Sequence, residues 1–274
     1  MESDKLEKQK LIIKYFKLDI KLCKRCNSKL KLEKNKDIYL LRCTWSICRT
    51  KISPFKDTIF ENSKLDPLKI FNILKMWLDR ISLKQICHNI GINKSTLSKF
   101  IKKAAKLAVP KYYKNFKPLG GKDIIIEADE SKFGKRKYNK GHKVEGIWVL
   151  GMVERTIDRR IFLIAVDDRR ANTLQKILSQ NVTPDSILYT DCWRGYIGLG
   201  SNFAMHKTVN HSKGFKDYTS GVHTNTIEGN WAAVKAQISP RLRTKKLIPF
   251  YLLRFMLLRN EKNNAFIELI KLLI

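Results

Sequence analysis

A chain of 274 residues that is 43% hydrophobic and 10% aromatic has material for one sizeable core and one or two small satellites. Its 55 Lys and Arg against 25 Asp and Glu leave a formal charge of +30, which draws it to polyanions: nucleic acid or an anionic membrane surface. The membrane is set aside, because the N-terminus opens with charged residues and the longest apolar stretch, Leu247 to Leu258, is interrupted by Arg254 and falls short of the ~18 residues of a spanning helix.

Nucleic acid is therefore the expected partner. The excess charge is uneven, with 29 basic and 10 acidic residues up to Gly120 (net +19) and 26 and 15 beyond it (net +11). The abundance of Lys, Ile and Asn is also what an AT-rich genome produces, so charge alone decides little. Six cysteines without a secretory signal point to a metal or free thiols rather than disulfides.

The first motif is Cys23-Lys-Arg-Cys26 followed by Cys43-Thr-Trp-Ser-Ile-Cys48. Cysteine pairs a few residues apart present two thiolates each, and two such knuckles close a four-coordinate structural zinc site. The strand-like run Asp37 to Arg42 suits a zinc ribbon, and Lys24, Arg25 and Arg49 offset the thiolate charge. Cys87 and Cys192 lack partners at ligand spacing and read as small core residues.

Beyond Ser53-Pro54 the pattern turns helical. Pro67 opens an amphipathic run through Ile70, Phe71, Leu74, Trp77 and Leu78. Ser82 to Ile101 then reads as a helix stopped at Gly91, a turn capped around Asn93 and Ser95, and a second helix. That is the outline of a helix-turn-helix, packed through Ile86, Ile90, Ile92, Leu97 and Ile101, with Lys94, Ser95, Thr96, Ser98, Lys99 and Lys102 facing the major groove of DNA. An ordinary helical hairpin is the plain alternative.

From about Gly121 the periodicity becomes that of strands. Lys122 to Asp129 is a β-branched run ending in the acidic pair Asp129-Glu130. Gly146 to Val153 and Arg160 to Val166 form an expected hairpin about Asp158-Arg159. Asn172 to Ser179 is a helix candidate, Ser186 to Asp191 a fourth strand, and Phe203 to Val209 a fifth. His223-Thr-Asn-Thr-Ile-Glu228 opens a helix that reaches Lys235. Three strands, a helix, a strand and further helices are the order of a ribonuclease-H-like α/β fold, a mixed sheet with helices on both faces. Carboxylates on strand ends and a neighbouring helix can hold two divalent ions about 3.5–4 Å apart, with magnesium or manganese suited to the oxygen ligands.

Three segments carry a family resemblance. Ala128-Asp129-Glu130-Ser131 with the basic loop Lys132 to Lys143, Thr190-Asp191-Cys-Trp-Arg-Gly-Tyr196, and His223 to Trp231 with Lys235 are similar to the three acidic regions of the ISXO2-like transposases of bacterial insertion sequences. Eukaryotic Merlin-type elements share the form with Glu followed by Lys, and the family also tends to carry an N-terminal zinc ribbon. The resemblance, over about Leu22 to Ile238, implies a DDE-type transposase. Asp129, Asp191 and Glu228 would be its divalent-metal ligands, and Lys235 would contact a DNA phosphate or terminal base. It would bind terminal inverted repeats, then cut and transfer strands into target DNA.

The basic loop, with Lys135, Arg136 and Lys137, is a candidate DNA track; a solvated loop is the plain alternative. Glu127 alternates with Asp129 and shares its expected face, whereas Asp167 and Asp168 bound a turn. His223 and Asn225 are open between capping the helix and orienting DNA or a metal ligand. Trp193 and Trp231 read as packing residues beside the site. The modules expected are a zinc ribbon at 1–56, a helix-turn-helix at 57–118 and the catalytic domain at 119–274, whose C-terminal helix packs on the core or pairs with a second subunit. A homo-oligomer on DNA is expected, in the nucleus of a eukaryote or otherwise in the cytoplasm. The competing reading is a domesticated or silenced transposase that only binds DNA.

Overall fold

The structure is a computed structural model that describes residues 2–36, 38–134, 146–210 and 222–274. The chain divides into two compact units, Met1–Leu107 with Ile270–Ile274, and Ala108–Leu269. Among the described residues no helix is long and apolar enough to cross a membrane.

The first unit opens with helix α1 (Glu2–Tyr15), which the sequence pattern did not announce. Strands β1 (Leu30–Asn35), β2 (Ile38–Cys43) and β3 (Lys51–Ile52) follow as an antiparallel meander in the order β1-β2-β3. The pairing of Leu30 with Cys43 brings the second cysteine pair beside the start of β1.

Helix α2 (Pro67–Leu78) begins where the Asp66 carboxylate accepts the Leu68 N–H at 2.9 Å. Pro67 stands at its first turn, where its missing N–H costs nothing. Its buried face is Ile70, Ile73, Leu74, Trp77 and Leu78, the helical spacing expected. Helix α3 (Leu83–Ile90) is capped by Ser82 and stopped by Gly91 at φ 68, a left-handed position that favours glycine. Asn93 then accepts the Thr96 N–H at 2.8 Å and starts helix α4 (Lys94–Asn115). This helix runs well past Ile101 because buried Ala104, Ala105 and Ala108 prolong a sequence of good helix formers.

In the second unit, β4 (Ile125–Phe133), β5 (Ile147–Glu154), β6 (Ile161–Val166), β7 (Ile187–Asp191) and β8 (Met205–Val209) form one mixed sheet. Its order is β6-β5-β4-β7-β8. β5 is antiparallel to both β4 and β6, whereas β7 runs parallel to β4 and to β8. The tight turn at Arg159 (φ 47) explains the hairpin. The parallel pair needs a long crossover, which helix α5 (Ala171–Asn181) supplies. Helices α6 (Asn225–Gln237), α7 (Ile248–Asn260) and α8 (Ala265–Leu273) complete the chain.

One expectation needs correcting. The first strand does not end at the acidic pair: β4 continues to Phe133, because Ser131, Lys132 and Phe133 stay paired with Val149, Trp148 and Ile147. Asp129 therefore lies inside a strand. Its parallel neighbour β7 is the one that stops at a carboxylate, Asp191.

Helix α7 is apolar around most of its circumference, buried from Phe250 to Leu257, and packs along β6. It also covers that strand's outer edge. The Asn260 amide both donates to the Ile161 carbonyl and accepts the Ile161 N–H, each at 2.8 Å. The Met256 sulfur accepts the Leu163 N–H, and the Tyr113 hydroxyl donates to the Leu163 carbonyl.

Candidate functional site

Alternate residues of β4 face α6. Two residues of a strand advance about 6.7 Å and four residues of a helix about 6 Å, so a strand and a helix running side by side can match residue for residue. Here they do. The Glu127 carboxylate accepts the N–H groups of Thr226 and Ile227 at 2.8 and 2.9 Å, and Asp129 accepts the Trp231 indole N–H at 2.9 Å. Ser131 accepts from the Lys235 ammonium at 2.6 Å, and Phe133 meets the Trp231 ring edge-on with centroids 6.1 Å apart. Gly151, opposite Asp129, makes room for this packing: a Cβ there would lie 2.6 Å from the Trp231 ring.

The three expected carboxylates come from three elements. Asp129 is on β4, Asp191 ends β7, and Glu228 is in the first turn of α6. Each is oriented by a local donor. Asp191 accepts the Trp193 N–H at 2.9 Å, and Glu228 accepts from the Thr224 hydroxyl at 2.9 Å. Burial pushes Asp129 above the usual carboxylate range, and the charges of Asp191 and Glu228 add to that push, while the Trp231 hydrogen bond opposes it. Asp129 is close enough to feel both of the others, and like-charge repulsion of this kind is relieved by a cation. The three are not gathered into a ready cage, however; among the described residues only the four cysteines form such a group.

Glu127 is completely buried and serves as the anchor of α6. It accepts two backbone N–H groups, the Thr226 hydroxyl at 2.7 Å and the Arg155 guanidinium at 2.5 Å. The same guanidinium reaches His223 at both its ring Nδ1 (2.7 Å) and its carbonyl (2.5 Å), and lies 4.8 Å from the centroid of the Tyr189 ring. His223 is thus tied to the start of the helix, whereas Asn225 is exposed. Lys235 is held against β4, its ammonium also 5.5 Å from the centroid of the Phe133 ring. The opposite face of β4 carries Glu130. Burial, then the charges of Asp129 and Asp191, push it up to about 7.

In the first unit, Cys23, Cys26, Cys43 and Cys48 bring four sulfurs within 4.8 Å of one another. Their closest approaches are 3.7 Å (Cys23–Cys48) and 3.4 Å (Cys26–Cys43), too long for disulfides. A tetrahedron of sulfurs about 2.3 Å from a central ion would have edges of roughly 3.8 Å. The donor set therefore fits one four-coordinate metal ion. The residue after each pair, Asn27 (φ 58) and Arg49 (φ 47), turns left-handed and closes its knuckle. Backbone N–H groups of Arg25 and Cys26 hold the Cys23 thiol down to about 6. Thr50 lowers Cys48, and desolvation pushes Cys43 up to about 12.

Of the expected DNA-facing residues, Lys94, Ser95, Ser98, Lys99 and Lys102 are exposed on α4 and Thr96 is half-buried, while Ile86, Ile90, Leu97 and Ile101 are buried. Lys135, Arg136 and Lys137 lie outside the described residues. Sequence reasoning gave no weight to Arg155 and little to Glu127.

Against known proteins, residues 116–254 match the model of the ISXO2-like transposase domain. An uncharacterized transposase-like protein of Haemophilus influenzae is 33% identical over 66 residues, 23% of this chain; the chain spans 54% of that protein's length. Among solved structures, the Mos1 strand transfer complex is 11% identical, with 73% of this chain and 77% of that chain covered, at a TM-score of 0.23. A pre-cleavage Mos1 transpososome is 9% identical, covering 73% and 76%, at a TM-score of 0.22.

Proposed function

The chain belongs to the ISXO2-like transposase family, and on that premise we propose that it is a DDE-type DNA transposase that cuts and joins DNA strands with Asp129, Asp191 and Glu228 as ligands of divalent metal. The observation that carries this reading is that those three residues, all inside the family match, stand on β4, β7 and α6, with Asp191 and Glu228 near enough to Asp129 to raise its carboxyl. The mixed sheet, with its strand order and single antiparallel interior strand, supports a ribonuclease-H-like domain.

Magnesium, or manganese in its place, would activate the attacking oxygen and stabilise the leaving 3′-oxygen during in-line displacement at phosphorus. The protein's own part is orientation. Trp231 fixes one oxygen of Asp129, the Trp193 N–H fixes Asp191, and Thr224 fixes Glu228, so the direction of each carboxylate is set by the protein itself. Glu127 and Arg155 hold the helix that brings Glu228 into reach. Lys235, two helical turns beyond Glu228 and so on the same side of α6, would contact a DNA phosphate or terminal base.

In the first unit, the four thiols would hold a structural zinc ion, giving a zinc ribbon, and α3 and α4 would form a helix-turn-helix that reads element ends. Replacing Ser95, Thr96 and Lys99 with Ala should then erase the preference for element ends over scrambled duplex; retained preference would make the ribbon the reader.

The decisive test uses purified full-length protein, labelled element-end DNA and magnesium. Asp129→Ala, Asp191→Ala and Glu228→Ala should each lower cleavage about a hundred- to a thousandfold, the order seen when a preorganised charge-stabilising group is removed, while end binding persists. Substantial cleavage by any one variant removes that residue from the site.

A further inference from the structure

On the face of the sheet turned away from α6, cations and indoles alternate in one series, close-packed only where Arg169 lies against both rings. The Lys132 ammonium lies 5.4 Å from the Trp148 ring centroid, and the Arg169 guanidinium lies 3.8 Å from Trp148 and 4.3 Å from Trp193. Arg194 follows at 5.6 Å from Trp193. These five residues come from β4, β5, the segment after β6 and the segment after β7, so the stack crosses the sheet near the end where β7 delivers Asp191. Lys132 and Trp148 are cross-strand partners and share a face.

A hollow of about 540 Å³ lined by Arg169, Arg170, Trp193, Arg194 and Gly195 opens beside the stack at one end. Another of about 500 Å³, lined by Lys132, Trp148, Asp167 and Lys245, opens at the other. Among the described residues, Arg170 and Lys245 on the walls of these hollows thus add to the stack's own cations, Lys132, Arg169 and Arg194. Acids nearby include Asp168, which accepts the Arg170 N–H and the Thr173 hydroxyl and lies 3.9 Å from the Arg170 guanidinium, Asp167, 3.6 Å from Lys245, Asp191, and Glu130, whose charge Arg169 offsets.

We propose that this ladder of Lys132, Trp148, Arg169, Trp193 and Arg194 is a binding track for an unpaired DNA strand. Guanidinium groups beside flat indoles suit a chain that alternates phosphates with exposed base faces, and stacking on aromatic rings tolerates any base sequence. A duplex hides its base faces, so the indoles would gain nothing from it. The track begins two residues from Asp191, whose carboxylate accepts the Trp193 N–H. A strand on it would therefore be the one leading to or from the reacting phosphate, a position that rests on the transposase reading.

The test measures binding of full-length protein to a short fluorescein-labelled oligothymidylate across a salt series, beside an abasic strand of equal length and a duplex. Arg170→Ala/Arg194→Ala alters two exposed residues and should weaken oligothymidylate binding about tenfold. It should also make the salt dependence shallower by about 1.4 log units per log unit of salt, at about 0.7 for each phosphate no longer neutralised. Wild-type protein should bind the abasic strand more weakly than oligothymidylate, and Trp193→Ala should abolish that difference. Unchanged affinity and slope in the double variant, or equal binding of the two strands by wild-type protein, overturns the track. Absence of metal-dependent cleavage by wild-type protein counts against the transposase reading alone and leaves this binding result standing.

Discussion

The cysteine knuckles and the carboxylate site each gather chemically similar side chains, yet the protein prepares them differently. The four sulfurs already lie at the spacing of a tetrahedral ion, because each pair sits in one tight turn and the pairing of Leu30 with Cys43 brings the two turns together. The three carboxylates come from β4, β7 and α6, and each is steadied by its own donor short of a closed cage. Like charges in a partly buried site oppose closure until a cation arrives. On the proposed reading, the difference is one between a metal that would complete a fold and a metal that the fold would wait for.

The largest expected effect follows from the first half of that contrast. Purified protein should contain about one zinc, and Cys23→Ser/Cys26→Ser should lose it together with the β1-β2-β3 meander, since metal binding and folding of such small units are coupled on the order of 10 kcal/mol. A strong chelator should melt the same region and leave the thermal transition of the second unit in place. If the chelator destabilises both units alike, the contrast breaks.

Glu127 sharpens the other half. Glu127→Ala leaves the Arg155 guanidinium and two helix N–H groups without their acceptor, and breaking such a buried pair costs about 3–5 kcal/mol. Thermal melting should show that loss, and Glu127→Gln should recover part of it through its remaining acceptor. Among variants that still fold, cleavage should demand more magnesium, because Glu228 is less well placed. A Glu127→Ala protein as stable as wild type would mean that α6 is anchored elsewhere.

The smallest effect concerns acid. Burial lowers the pKa of His206, whose ring nitrogen lies 2.9 Å from the Thr190 hydroxyl, beside Asp191. A depressed folded-state pKa means the unfolded chain takes up the proton first. The contribution is complete above the ordinary histidine value and is lost as pH falls below it toward the folded-state value. Melting temperatures at pH about 7.5 and about 5.5 should differ less in His206→Asn than in wild type. Equal slopes would show that the sheet site has no acid-sensitive support there.

How much of this was legible depended on distance along the chain. The cysteine pairs, the Gly91 stop, the Asn93 cap and the hairpin at Arg159 are local events, and the residues that cause them stand within a few positions of one another. The acidic regions were legible through their immediate neighbours. The anchoring by Glu127 was not, because its partners Thr226 and Ile227 lie 99 and 100 residues away and only folding brings them together. For the same reason Trp231 read as packing, although its indole also donates to Asp129 across 102 positions. The extension of β4 past Asp129 depends on pairing with β5, and acidic residues give no hint of it. Helices α1 and α8 went unnoticed: α1 has little apolar patterning, and α8 is short.

The seal along β6 also limits how the sheet can grow. Ile161 and Leu163 would offer their outward N–H and C=O groups to any incoming strand, but Asn260, Met256 and Tyr113 already occupy them. An open strand edge is a template for uncontrolled pairing between copies. Because side chains of α7 and the end of α4 answer that edge, a strand from another molecule could add there only by displacing them. A self-attracted sheet edge would be a hazard for a protein crowded along DNA, as proposed for this one, and at Ile161 and Leu163 that edge is closed from within.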